Sequence, residues 1–253
     1  MSGRLAATVC IVTGAARGIG FAICERYALE GARLACLDIS ERRLEPAVAS
    51  LNDRGFEARG YGVDVGRRAD VRATFDQIER DFAAPAGVLV NNAVWARFQP
   101  LADIDEDVMG RMFGCGLEGL IWTLQAAAPQ MQRRGRGSVI NLCSTSALQS
   151  MPNSIAYSAL KAGVMGLTRA AAVELSPHRI RVNAITPGMI GTEASVAQFD
   201  DATIAKRTAQ MPLGRFGEAS EIASVAAFLA CDDSSYVQGA TIVADGGWTI
   251  AAT

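Results

Sequence analysis

Histidine is almost absent from this chain: His178 is the only one in 253 residues. It follows Pro177 in a polar break between two apolar stretches, where a surface turn is the expected setting. With no second histidine, a Ser-His-Asp triad or a histidine-based metal centre has little to be built from. Lysine is nearly as scarce, since only Lys161 and Lys206 stand among 24 basic residues and the rest are arginine. The six cysteines (Cys10, Cys24, Cys36, Cys115, Cys143 and Cys231) show no Cys-x-x-Cys spacing. They read as small buried hydrophobes of a reducing, cytoplasmic compartment. A basic excess is also missing: the net charge is −2, which gives no electrostatic footprint for nucleic acid. The apolar run entered from Met1-Ser2-Gly3-Arg4 stops at Gly14, too short to span a bilayer, and carries no cleavage pattern of a signal peptide.

What the chain does have is alternation. Strand-like runs at Ala7–Thr13, Arg33–Asp38, Phe56–Asp64, Val88–Asn92, Ser138–Ser144, Arg181–Pro187 and Thr241–Val243 are separated by helical stretches. The helices are expected over Ile19–Glu30, Glu41–Arg54, Arg67–Phe82, a long region from about Asp105 to Arg134, Asn153–Leu175 and Glu218–Ala230. From Pro187 to about Arg215 a Gly-, Thr- and Pro-containing segment is read without secondary structure. Continuous apolar strands between amphipathic helices indicate an α/β fold, a parallel sheet covered on both faces. No linker, repeat or composition shift divides residues 1–253, so one doubly wound domain is expected. Ligands of such sheets bind outside the carboxyl ends of the strands. That rule gathers Thr13-Gly14, Asp38, Asp64, Asn91-Asn92, Ser144 and Pro187-Gly188 along one edge.

Two stretches on that edge carry chemistry. Tyr157 and Lys161 are four apart on an expected helix and so share a face. A phenol ordinarily loses its proton near pH 10, and an adjacent ammonium favours the phenolate, the form needed for acid/base work. With 4 Tyr and two lysines, a chance Tyr-x-x-x-Lys is expected only about 0.03 times; the bland alternative is an incidental pair on an exposed helix. The second stretch is Thr13-Gly14-Ala15-Ala16-Arg17-Gly18-Ile19-Gly20, between the first strand and the first helix. Its glycines permit close backbone approach, and the helix start offers unpaired N–H groups to a phosphate. Asp38, ending the second strand, suits both ribose hydroxyls of an adenosine and would repel a 2′-phosphate. Arg17 pulls the other way, so NAD is favoured and NADP stays open.

With these residues in hand, the chain resembles the short-chain dehydrogenases/reductases in their roughly 250-residue form. The resemblance rests on the glycine loop at 13–20, Asp38, Asp64-Val65, Asn91-Asn92-Ala93, Ser144, Tyr157-x-x-x-Lys161, Pro187-Gly188 with Thr192, and the closing Val243-Ala244-Asp245-Gly246-Gly247. It implies a Rossmann-type domain of about seven parallel strands with helices on both faces. The activity implied is hydride transfer between nicotinamide and a secondary alcohol or ketone. Ser144 would polarise the substrate oxygen and Tyr157 would transfer the proton. Lys161 would stabilise the phenolate and hold the nicotinamide ribose. Gly14, Arg17, Gly18, Ile19 and Gly20 would line the cofactor's phosphates, and Asp38 with Ile39 its adenosine ribose. Asp64 and Val65 would meet the adenine, Asn91 and Ala93 would lie along the cofactor, and Pro187, Gly188, Ile190 and Thr192 would border the nicotinamide. A homotetramer built through the long helices is implied as well.

The chain departs from the family pattern twice. Val94 stands where a glycine is usual. Gly116 stands where the family carries a catalytic asparagine, which stabilises a helix irregularity whose main-chain carbonyl holds a proton-relaying water. Glycine tolerates the irregularity and keeps its carbonyl, so the relay is expected to survive; the competing expectation is a catalytically impaired dinucleotide-binding protein. Around the substrate, Trp95, Gln149, Met151 and Met189 are expected, with Val94, Phe98, Leu148 and Phe199 nearby. Their apolar character suggests a substrate with a hydrophobic portion, with Arg97 or Gln149 at a polar end. Other substrates of the same family, 3-oxoacyl thioesters or sugars, remain alternatives, although no basic cluster in the sequence argues for an acyl-carrier partner. A non-redox enzyme on this fold would leave the glycine loop and Asp38 without purpose.

Overall fold

A run such as Val9–Thr13, with every residue buried, has no face to turn to water and must be covered on both sides. In the computed structural model, which describes residues 3–196 and 200–251, this run is β1 of a seven-stranded sheet. The others are β2 (Arg33–Asp38), β3 (Ala58–Gly62), β4 (Ala86–Asn91), β5 (Gly137–Leu142), β6 (Ile180–Pro187) and β7 (Thr241–Ala244). Their order is β3-β2-β1-β4-β5-β6-β7, and every pairing is parallel.

Alternate side chains of each strand feed two separate cores. Cys10 and Val12 face α1 (Gly18–Leu29), α2 (Glu41–Asp53) and α9 (Ala219–Ala230), where Ile23, Tyr27 and Ala226 are fully buried. Val9 and Ile11 face the opposite layer of α3 (Arg68–Phe82), α5 (Gly119–Arg134) and α6 (Ile155–Leu175), through Phe75, Ile78 and Met131. The doubly wound fold expected from the alternation is therefore the observed one. The winding reverses between β1 and β4, and this reversal opens a crevice beyond their carboxyl ends.

The structure refines three boundaries. Ala7 sits at φ 55, a left-handed turn, so β1 starts at Val9 and not at Ala7. The long helical region resolves into α4 (Glu106–Phe113), a π-helical turn over Gly114–Glu118, and α5. The segment after Pro187 is not structureless: it carries α7 (Glu193–Val196) and α8 (Asp201–Ala209). The signals for α8 were local ones: Asp200 caps it by accepting from Thr203 N at 2.7 Å, and Lys206 and Arg207 occupy its last turn. Phe199 lies outside the described residues. All six cysteines are free thiols, five of them buried. Among the described residues no helix is long and apolar enough to cross a membrane.

Candidate active site

The glycine loop is shaped by close approach. Gly14 and Gly18 hold φ of 64 and 58, and a Cβ on Gly20 would lie 2.1 Å from the Gly14 carbonyl oxygen. α1 can therefore start hard against the turn, and no side chain caps its first amides. Such a cradle suits a phosphate. Asn92 ties it to β4, donating from Nδ2 to the carbonyls of Thr13 (2.9 Å) and Gly14 (3.1 Å). Thr13 Oγ1 in turn accepts from the amides of Asn92 and Ala93, each at 3.0 Å.

A cavity of about 500 Å³ opens beside this loop. Gly14, Arg17, Asp38 and Ile39 line it, and Asp64, Val65 and Ala93 complete it. Asp38 accepts from Ser40 N at 3.0 Å and from Arg43 Nη2 at 3.4 Å. Asp64 turns the chain by accepting from Gly66 N at 3.0 Å. Cys115 also borders the cavity, and burial raises its thiol above the ordinary range, which keeps it protonated and inert. The donors and shape fit an adenosine with its pyrophosphate.

A second cavity, of about 720 Å³, holds the catalytic candidates Ser144, Tyr157 and Lys161 together. Ser144 follows β5 in extended conformation, its Oγ accepting from Ser146 N at 3.1 Å. Tyr157 and Lys161 lie on the first turns of α6. Lys161 is only 4% exposed, and its ammonium donates to the Leu142 carbonyl at 2.7 Å, where β5 ends. The same ammonium lies 5.7 Å from the Tyr157 ring centroid. Phe98 packs against that ring in a tilted arrangement, at 5.1 Å between centroids.

The border of this cavity comes from Ile19, Pro187, Gly188, Ile190 and Thr192. A Cβ on Gly188 would lie 2.6 Å from Asp245 Cα, so the closing Asp245-Gly246-Gly247 motif packs directly under the turn after β6. Asp245 accepts from Gly247 N, Thr249 N and Thr249 Oγ1 at 2.7–2.9 Å. Burial works against its charge, but these bonds outweigh it and hold the carboxyl below the ordinary range.

Of the expected substrate residues, Gln149, Met151 and Met189 line this cavity with Val94 and Phe98. Trp95 lines the adenosine-side cavity instead, because Arg111 stacks on its ring at 4.3 Å and holds it there. Leu148 and Arg97 are exposed and line neither. The Asn91 side chain is likewise absent from both: it is buried in the sheet, donating to Asn141 Oδ1 (2.9 Å) and accepting from Thr123 Oγ1 (2.7 Å). Its neighbours Asn92 and Ala93 take the cavity-facing places. Sequence reasoning missed Arg207, Phe216 and Trp248, which also line the catalytic cavity. No local motif marks them, since they reach it from α8 and from the segments before α9 and after β7.

Comparison with known proteins agrees with this geometry. The family profile described as Enoyl-(Acyl carrier protein) reductase matches residues 14–249. D-threitol dehydrogenase of Mycolicibacterium smegmatis is 36% identical over 98% of this chain and 95% of its own. A gluconate 5-dehydrogenase from Burkholderia cenocepacia, solved in complex with NADP and tartrate, superposes with a TM-score of 0.93 at 32% identity over 98% of both chains. An NAD+-bound xylitol dehydrogenase superposes with a TM-score of 0.90 at 34% identity, covering 96% of this chain and 99% of that one. The chain belongs to the short-chain dehydrogenase/reductase family and is an oxidoreductase that uses a nicotinamide dinucleotide.

Gly116 lies in the π-helical turn, so the helix irregularity is present without an asparagine side chain. The room such a side chain would need is already filled. A Cβ on Gly116 would stand 2.7 Å from Leu160 Cδ2, and Leu160 is fully buried in a small core with Val108, Met112 and Ala156. Gly116→Ala is expected to cost about 1–3 kcal/mol by overpacking, against at most about 1 kcal/mol returned by helix propensity. Urea denaturation of Gly116→Ala, Leu160→Ala and the double variant checks this. The double variant should be more stable than the sum of the two single effects, and a Gly116→Ala as stable as the parent would remove the steric explanation.

Proposed function

We propose that the protein catalyses reversible hydride transfer between nicotinamide and a secondary alcohol or ketone, as an alcohol dehydrogenase or carbonyl reductase with NAD(H) favoured. The observation that carries this reading is the buried Lys161 ammonium, anchored at Leu142 and lying alongside Tyr157 in one cavity with Ser144. In the oxidising direction the Ser144 hydroxyl donates a hydrogen bond to the substrate oxygen. The Tyr157 oxygen takes the hydroxyl proton, and the positive charge of Lys161 stabilises it while it is anionic. A bound nicotinamide dinucleotide would supply the acceptor for the hydride that leaves the substrate carbon bearing that hydroxyl. Reduction runs the steps in reverse, with Tyr157 returning the proton.

Asp38 supports the preference for NAD(H), because its carboxylate faces the adenosine-side cavity and repels a 2′-phosphate. Arg17 and Arg43 border the same cavity and supply the opposing attraction. Similar proteins include an NAD+-bound and an NADP-bound member. The threitol, xylitol and gluconate enzymes among them favour a second reading in which the substrate is a polyol or sugar acid. The reading of an impaired protein rests on Gly116 alone, and the π-helical turn argues against it. The proton relay from Lys161 runs in our reading through the Gly116 carbonyl and water. Gly116→Asn, paired with Leu160→Ala to make room, should therefore leave the kcat pH profile without a gain; a tenfold rise would overturn the relay. The homotetramer rests on apolar side chains left exposed on α5 and α6, Ile121 at 38% and Val173 at 78%.

Three measurements test these readings. Tyr157→Phe should lower kcat by about 10²–10⁴-fold while NADH fluorescence still reports binding; full activity in this variant would refute the mechanism. Asp38→Asn should move the kcat/KM ratio of NAD to NADP at least about tenfold towards NADP, the worth of roughly 1.4 kcal/mol. An unchanged ratio removes Asp38 as the discriminator. Sedimentation velocity should give a tetramer, and a monomer at micromolar concentration would remove that expectation.

A further inference from the structure

A second concentration of fixed charge lies at the edge of the sheet opposite Tyr157. There a cavity of about 430 Å³ is lined by Arg4, Arg134, Arg136, Arg179 and Arg181, with Asp232 as the one carboxylate on its wall. β5 runs from this cavity to the catalytic one: Gly137 and Ser138 line the first, Leu142 and Cys143 the second. That length of strand separates the two by about 16 Å.

Two of the five arginines are paired. Arg4 is neutralised by Glu30 and, at 3.0 Å, by Asp233. Arg136 meets Asp232 at 3.1 Å, but these side chains are 59% and 84% exposed, so water screens the pair. The other three meet no carboxylate among the described residues. Arg134 donates to Thr8 Oγ1 at 3.2 Å. Arg181 donates through Nη2 to the carbonyls of Leu229 (2.8 Å) and Cys231 (3.1 Å), while its Nη1 is buried with no acceptor. Arg179 holds φ 57, a left-handed position where glycine or asparagine is the usual choice. Its exposed guanidinium has no partner among the described residues. Burial, and after it the charge of Arg136, draws the Arg134 guanidinium below its ordinary value, and burial does the same to Arg181.

Helix ends answer only part of this charge. α5, α6 and α9 end around the cavity, and each C-terminus offers about half a negative charge. Together with Asp232 they balance about two and a half of the four positive charges left beyond Arg4, a surplus of roughly one and a half. A phosphate group carries about −1.5 to −2 at neutral pH, and guanidinium forks match its oxygens in pairs. We infer that this cavity binds a phosphate group, as the free ion or as a phosphomonoester. The site is separate from the glycine loop and from the catalytic cavity, and it stands whatever the substrate of the reaction is.

The test uses the full-length protein saturated with NADH, so that the glycine loop is already filled. Inorganic phosphate, glycerol 3-phosphate and glucose 6-phosphate are titrated against sodium chloride of equal ionic strength, and binding is read by Tm and by calorimetry. At least one phosphate compound should raise the parent's Tm beyond the chloride control and half-saturate below about 1 mM. Arg136→Gln combined with Arg179→Gln, two exposed positions, should weaken that binding tenfold or more. Asp232→Asn removes the opposing charge and should tighten it about threefold, the worth of a screened pair. NADH binding, followed by fluorescence, should stay at the parent level in every variant. Esters that bind more tightly than inorganic phosphate assign the site to a phosphomonoester; phosphate binding alone, with the same arginine dependence, assigns it to the free ion. A parent that responds to none of the three compounds overturns the inference. So does binding that survives the double arginine variant, or that weakens in Asp232→Asn.

Discussion

A single buried ammonium organises the catalytic edge. Lys161 is almost sealed from water, and a charge in that position must be met by fixed dipoles. The Leu142 carbonyl meets it at 2.7 Å, at the very end of β5. That bond joins the first turns of α6 to the sheet. It thereby sets Tyr157, one turn earlier, against the same cavity as Ser144, two residues beyond Leu142. A compact ammonium on a slim stem can reach one carbonyl in this way, whereas the broad guanidinium used almost everywhere else in the chain presents a different shape. The shape of the ammonium thus explains why one of the two lysines of the chain stands at this position.

Around this anchor the structure makes up for a missing side chain by volume. Gly116 leaves space in the π-helical turn, and Leu160, the residue just before Lys161, fills it. The two positions are distant in sequence, yet they form one packing unit between α4 and α6. What holds the turn is then apolar contact in place of an amide side chain. The close-packed arrangement couples the helix irregularity to the helix that carries Tyr157 and Lys161.

The fold also separates charge between its two edges. Helix starts converge at the carboxyl edge, where the glycine loop awaits an anion. At the opposite edge α5, α6 and α9 end around a cavity of about 430 Å³ lined by Arg4, Arg134, Arg136, Arg179 and Arg181. Arg181 donates to the carbonyls of Leu229 (2.8 Å) and Cys231 (3.1 Å) at the end of α9, and Arg136 pairs with Asp232 at 3.1 Å. Cations at helix ends answer the negative end of each helix dipole. This gathering is invisible in a chain whose net charge is only −2, because it draws on residues from three separate segments.

The local patterns in the sequence were enough for the fold and for the skeleton of the site. Apolar runs of strand length determined a covered parallel sheet. The Tyr157-x-x-x-Lys161 spacing determined a shared helix face, and the glycines at 14, 18 and 20 determined a tight strand-to-helix turn. Each of these is a short-range property, written in neighbouring residues. Other assignments depended on tertiary packing. Asn91 turned into the sheet because Asn141 and Thr123 satisfy it there, and Trp95 turned to the adenosine side because Arg111 stacks on it. Leu160 met Gly116 only once α4 and α6 were packed, and Arg207 reached the catalytic cavity only once α8 lay across Met151 and Met189. Which elements form and which motifs share the carboxyl edge follow from neighbouring residues, because backbone periodicity is local. Which side chains share a cavity there follows from the packed fold, because it depends on contacts between segments far apart in the chain.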